Sequence, residues 1–178
     1  MTLRQGDTTL AVPAEDAHRW SVLGLLCVAI VLSLTTWFSA TAIVPELRTA
    51  WRLSGAIDAW LTNGVQIGFV AGALASSLVN LPDLVRLNRL MAISALLAAT
   101  ANAWLLLQPG PAGLVAARIV TGVALAGVDP PALKLVSTWF VRSRGLALGA
   151  VIGALTLGSA LPHLFRALTG SFDWQLVV

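Results

Sequence analysis

Three ionisable side chains interrupt one long apolar segment of the chain. Arg118, Asp129 and Lys134 lie between Ala112 and Phe140, where most other residues are apolar or small. An ionisable group at the depth of a lipid bilayer costs several kcal/mol, so such groups tend to face a cavity or a partner. Arg118 and Asp129 are eleven residues apart, which predicts one shared helical face and a separation of about 16 Å. Each therefore needs its own partner from another helix, from water or from a bound solute.

The run Asp129-Pro130-Pro131 predicts a break in this segment. Proline lacks a backbone donor and clashes with the preceding helical turn. The carbonyls freed just before the prolines would need solvation, which a water-lined cavity supplies. One interpretation is a hinge that lines a cavity with a charged wall. The other is that Asp129 and Lys134 lie near the membrane exit and are simply hydrated.

A polar stripe runs along the first apolar segment. Ser33, Thr36, Trp37 and Thr41 have offsets of three, four and eight residues, which places them on one helical face. Such a stripe could line a translocation path. Alternatively, the hydroxyls bond carbonyls of their own helix and Trp37 anchors the span at the interface.

Small residues form a second stripe in the last apolar segment. Gly145, Gly149 and Gly153 recur at every fourth position. Small residues let membrane helices approach closely, so this stripe predicts helix packing.

Several classes of function find no support in the chain. It has a single cysteine, Cys27, and shows no nucleotide-binding loop, metal-ligand cluster or Ser/His/Asp set. We therefore expect no enzyme, no cofactor and no metal site. The net charge of +3 comes from basic residues scattered among the apolar segments, so we expect no nucleic-acid partner.

The composition predicts the elements that position these residues. Hydrophobic residues make up 57% and charged residues 11% of the 178-residue chain, and the mean hydropathy is +0.85. A bilayer core of about 30 Å needs about 20 helical residues. We predict an all-α, polytopic transmembrane helix bundle with lipid as its surroundings, after a cytoplasmic tail at 1–19. The bundle, 20–178, has spans at about 21–44, 60–81, 90–107, 112–140 and 145–168. Trp174–Val178 predicts the start of a sixth span.

Basic residues in the connections predict the orientation. Cytoplasmic loops of membrane proteins are enriched in Lys and Arg. With the N-terminus inside, six arginines fall on the cytoplasmic side and three on the other. We therefore expect a multi-pass protein of the inner (plasma) membrane with a cytoplasmic N-terminus. The inner set is Arg4, Arg19, Arg86, Arg89, Arg142 and Arg144, and the outer set is Arg48, Arg52 and Arg166.

Four runs of residues resemble motifs of the major facilitator superfamily. LVAARIVTGVALA, from Leu114 to Ala126, is similar to its fourth-helix pattern L-x3-R-x2-Q-G-x-G-A-A, with Thr121 in place of Gln. WFVRSRGLALG resembles the junction of helices four and five, and DWQ the entry to helix six. VNLPDLVRLNR is similar to the loop pattern G-x-L-A-D-R-x-G-R-R/K, with Val79 and Arg86 in place of its glycines.

The resemblance implies half of a twelve-helix transporter, in which two six-helix halves rock about a central site. Helices one and four would line the path, with Asp83, Arg86 and Arg89 in a gating loop. A complete path would require the C-terminal half or a second copy.

The expected function is secondary active transport of a small solute by alternating access. The basic residues of the fourth segment favour an organic or inorganic anion, held by Arg118. Any coupled proton would need Asp129 or a residue elsewhere, because arginine does not release its proton. The alternative is a small non-catalytic membrane scaffold, or an inactive transporter fragment.

Overall fold

The structure, a computed structural model, describes residues 14–51, 54–107 and 109–169. All regular structure within these ranges is helical, which confirms the all-α class. The elements are α1 (Ala14–Trp51), α2 (Gly55–Leu78), α3 (Leu81–Leu84), α4 (Leu87–Ala103), a 3-10 helix (Trp104–Leu107), α5 (Gly110–Leu125), α6 (Asp129–Trp139) and α7 (Arg144–Thr169).

Five stretches of the described helices are long and apolar enough to cross a membrane, as the sequence predicts. Spans one, two and five lie in α1, α2 and α7. Span three combines α4 with the 3-10 helix, and span four combines α5 with α6. They cover His18–Ala42, Gly55–Leu78, Leu87–Leu107, Gly110–Trp139 and Arg144–Leu168. The predicted start of a sixth span lies outside the described residues.

The first helix is longer than the apolar pattern predicts. α1 begins at Ala14 and continues through Pro45 to Trp51, so it includes part of the predicted tail and part of the predicted first loop. Proline is tolerated near the end of a membrane helix when other groups satisfy the freed carbonyl. Beyond the apolar run, Arg48 forms an ion pair with Asp58 at 3.4 Å, which ties the end of α1 to the start of α2.

The predicted break in span four is present. α5 ends at Leu125 and α6 begins at Asp129. Between them, the amides of Gly127 and Val128 each bond a carbonyl three residues back at 2.9 Å. The two prolines that follow Asp129 cannot supply amide donors to the preceding turn. The α-helical ladder therefore stops and restarts here.

Glycines set the close approach of α2 to α5. A Cβ atom on Gly122 would collide with the carbonyl oxygen of Val65, and one on Gly68 would collide with that of Ile119. The two backbones thus touch where side chains would normally separate them. On the other side of the bundle, α1, α6 and α7 share a core that includes Ile30.

The predicted packing stripe on α7 makes no such contact in this chain. A Cβ atom on Gly145, Gly149 or Gly153 would meet no described atom within 4 Å. α7 packs on α1 through another face, where Gly158 approaches the backbone of Val31. Packing by the three glycines therefore stays a prediction about a contact beyond the described residues.

Candidate functional site

Arg118 projects from α5 into the middle of the bundle and is completely buried. Its Nε donates a hydrogen bond to the carbonyl of Leu61 at 3.3 Å. Its Nη1 donates to the carbonyl of Thr36 at 3.4 Å and to Asn102 Oδ1 at 3.3 Å. Its Nη2 donates to the carbonyl of Trp37. One side chain of span four thereby donates hydrogen bonds to acceptors on spans one, two and three.

Asn102 completes this arrangement and was missed by the sequence analysis. Its Oδ1 also accepts a hydrogen bond from Ser39 Oγ at 3.2 Å. Both Asn102 and Ser39 are buried. Asn102 is the one amide within the predicted third span, 90–107, and that was the signal that could have identified it. We call Arg118, Asn102, Ser39 and the three accepting carbonyls the Arg118 knot.

The charge of Arg118 is solvated by dipoles rather than by an opposite charge. Among the side chains that the structure describes, no carboxylate forms an ion pair with it. Carbonyl oxygens have two lone pairs, so helical carbonyls can accept a second donor. Arg118 is 0% exposed, and it therefore lies inside the bundle instead of on a cavity wall. An anion could reach its donors only if these helices separate.

A second polar contact joins spans one and four at the break. Ser33 Oγ donates a hydrogen bond to Asp129 Oδ1 at 3.0 Å. Two residues that the sequence singled out on different spans are thus in direct contact. Lys134, one turn and a half further on, turns to the surface and pairs with Asp83 at 2.5 Å.

The residues of the polar stripe of span one fit different interpretations: Ser33 fits a path lining, whereas Thr36 bonds within its own helix. Only Ser33 among its described members points its hydroxyl at a functional candidate. Thr36 Oγ1 donates to the carbonyl of Leu32 in its own helix at 2.9 Å. The ring of Trp37 packs edge-on against Phe69, with 5.1 Å between centroids. Thr36 and Trp37 contribute their backbone carbonyls to the Arg118 knot.

A cavity of about 370 Å³ opens between α1, α4 and the end of α5. Ser33 and Thr36 lie on its wall, together with Met91, Leu125, Val128 and alanines. The wall is therefore apolar except for two hydroxyl groups. Ser33, which lines this cavity, also donates the hydrogen bond to the Asp129 carboxylate.

Comparison with known proteins identifies the family. A family model, the Major Facilitator Superfamily, matches residues 25–178. This chain belongs to the major facilitator superfamily. The resemblance drawn from the motifs is therefore confirmed. Members of this superfamily are transporters and are generally not enzymes.

One relative extends the comparison. A "Probable actinorhodin transporter" of Streptomyces coelicolor is 27% identical over 156 residues. The match covers 87% of this chain and 27% of the relative, so the chain spans about a quarter of the relative's length. No solved structure matches.

The fourth-helix motif of this major facilitator protein serves two structural purposes. Arg118 forms the knot, while Gly122, one turn later, allows α5 to touch α2. Thr121 stands where the superfamily pattern has Gln, and its Oγ1 bonds the carbonyl of Ala117 at 2.8 Å. The motif therefore places a bonded cation and a backbone contact on neighbouring faces of α5.

The proposed gating loop of the superfamily lies around α3. Asp83 lies in α3, and Arg86 and Arg89 flank the start of α4; all three are exposed. Asn80, before α3, adopts a left-handed backbone with φ of 49°. The ion pair to Lys134 links this loop to span four. Among described residues, neither Arg86 nor Arg89 forms an ion pair.

The described part of the chain also offers few metal ligands. It contains no group of three or more His, Cys, Asp or Glu side chains that could hold a metal ion.

Proposed function

We propose that this chain is part of a secondary active transporter that moves a small solute across the inner membrane by alternating access. The observation that carries the proposal is the set of polar contacts between spans one and four within the bundle. The Arg118 knot and the Ser33–Asp129 bond both join these spans. Polar groups inside membrane bundles are costly and mark transport pathways. Superfamily membership supports this function.

An anion is the solute class that we propose to test first. Arg118 is a buried positive charge without a described carboxylate partner, and guanidinium is well suited to recognise anions. In the conformation described, carbonyls and Asn102 occupy its donors. We infer that an anionic solute would compete with these acceptors when the helices rearrange.

Actinorhodin is the first compound to test, because the relative is named as its probable transporter. A panel of organic and inorganic anions follows from the charge of Arg118.

We propose that the end of the bundle at which α1 begins, called the inner end, faces the cytoplasm. Arg86, Arg89, Arg142 and Arg144 cluster at the end that also holds the start of α1. Cytoplasmic ends of membrane proteins collect such residues. Arg48 and Arg166 lie toward the other end.

The open glycine stripe on α7 is proposed to contact another helical bundle. Gly145, Gly149 and Gly153 present backbone that no described atom covers. Such surfaces favour close helix contacts in lipid. The bundle that packs there would be the C-terminal half of the transporter or a second copy, and it would supply the opposite wall of the path.

The test is a solute screen with the intact protein in proteoliposomes. An imposed ion gradient should drive accumulation of at least one compound of the panel above the level in protein-free vesicles. If a correctly inserted protein that unfolds cooperatively moves none of the panel, the proposal is contradicted. In that case, stable association of the bundle with a helical partner would favour the scaffold alternative.

A further inference from the structure

A half-buried carboxylate at the break in span four is separate from the Arg118 knot. Asp129 begins α6, about 15 Å from the inner end of that helix. Ser33 Oγ donates to its Oδ1 at 3.0 Å. Among the residues described, this is the only hydrogen bond to the Asp129 carboxylate.

No described cation balances this carboxylate. Lys134, on the same helix, is paired with Asp83, and Arg118 is bonded to carbonyls and Asn102. α1, α4 and α7 pack against α6, and their charged or titratable groups do not pair with Asp129. The described groups of this kind are His18, Arg19, Cys27, Arg48, Arg89, Arg144, His163 and Arg166. Partial burial without a paired cation favours uptake of a proton or another cation by a carboxylate.

The break in span four leaves backbone carbonyl oxygens close to Asp129 in the sequence without amide donors. In an uninterrupted helix, the carbonyls of Ala126 and Gly127 would accept from residues 130 and 131. Both of those residues are prolines, which have no N–H. Interrupted membrane helices often bind cations through unwound carbonyls of this kind. Carboxylate, hydroxyl and carbonyl oxygens therefore occur together at one level of span four.

We propose that Asp129 and Ser33 form the binding site of a coupling cation, either a proton or a sodium ion. This inference rests on the proposed transport function. Proton binding forms one O–H bond on the carboxylate, and sodium binding forms coordinate contacts with the same oxygens. Either cation removes the net charge at the junction of α5 and α6. Loading and release of the cation thereby change the electrostatic cost of moving this junction during transport.

Infrared difference spectroscopy on the purified intact protein tests the site without any solute. Acidification should produce a carboxylic-acid C=O band that is lost in Asp129→Asn. Ser33→Ala should keep the band but shift it, because the hydrogen bond to Oδ1 is gone. The matched control is Asp58→Asn at the outer end of α2, which should leave the band in place.

The identity of the cation follows from the same spectra. Suppression of the band by sodium at fixed pH, with potassium as control, identifies a sodium site. A band indifferent to sodium identifies a proton site. The inference is overturned if Asp129→Asn leaves both the acid-induced and the sodium-induced spectra unchanged.

Transport provides the second arm. With a solute that the wild type accumulates, Asp129→Asn should lose gradient-driven accumulation while downhill exchange is still detected. Accumulation equal to the wild type, or loss of both accumulation and exchange, would remove Asp129 from coupling. If the wild type moves no solute, the transport function itself has failed. The infrared band still decides the cation site in that event.

Discussion

A buried arginine at the centre of four helices is the dominant residue-scale feature. Arg118 makes hydrogen bonds to acceptors on α1, α2 and α4. The sequence identified Arg118 from its charge within an apolar run. It did not identify Asn102 or the accepting carbonyls, because periodicity defines one face of one helix and not its neighbours. For the same reason, the Ser33–Asp129 contact emerged only from the fold.

Replacement of Asn102 by alanine should weaken the knot. The change removes the side-chain acceptor of Arg118 Nη1 inside the bundle, while Ser39 Oγ keeps the carbonyl of Thr36 as an acceptor at 3.0 Å. Loss of a buried partner costs about 1 to 3 kcal/mol, so the variant should unfold at a lower temperature in detergent. Asn63→Ala, at an exposed position of α2, is the control and should unfold like the wild type. Equal unfolding of all three proteins would contradict a structural role for Asn102.

At the scale of elements, the most extensive helix contacts are those of α2 with α5 and of α1 with α7. Glycines lie where the backbones of each pair come closest. Gly64, Gly68 and Gly72 recur at every fourth position on α2, like the stripe on α7. The spacing alone could not distinguish the stripe that packs in this chain from the one that stays open. That difference depends on which helices become neighbours.

Alanine at Gly68 should separate α2 from α5. Its Cβ atom would collide with the backbone of Ile119, and overpacking typically costs about 1 to 3 kcal/mol. Gly149→Ala is the matched control, because the chain leaves space there. In the isolated bundle, this control should be neutral or gain up to about 1 kcal/mol from helix propensity. Thermal unfolding of both variants checks the contrast, and equal stability would contradict the contact.

Closing the break in span four should affect transport more than stability. Replacing Pro130 and Pro131 together by alanine restores two amide donors, so α5 and α6 can join into one helix. We expect unfolding at or above the wild-type temperature and a large loss of solute movement. Wild-type transport in the double variant would show that the break is not needed for function.

At the scale of the whole molecule, hydropathy was sufficient to predict the class and the number of described spans. Five apolar runs predicted five membrane-length stretches, and the structure contains them. Helix ends were less predictable. α1 continues past Pro45 because polar residues after the apolar run still form helix, and hydropathy does not register them.

Topology gives a prediction for the intact molecule. In a background with Cys27→Ala, cysteines at Arg86 and Arg142 should react only with reagents that enter the cell. A cysteine at Ala112, exposed in the first turn of α5 after the connection between spans three and four, should react with an impermeant reagent from outside. The reverse pattern would invert the proposed orientation.

Transport by an Arg118 variant tests most directly whether the polar contacts between spans one and four support solute movement. Accumulation of an identified solute is compared in proteoliposomes containing wild type, Arg118→Ala or the exposed-loop control Arg142→Ala, each at equal amounts of inserted protein. Arg118→Ala should fall to the level of protein-free vesicles, and Arg142→Ala should transport like the wild type. Wild-type accumulation by Arg118→Ala would contradict the function proposed for this bundle.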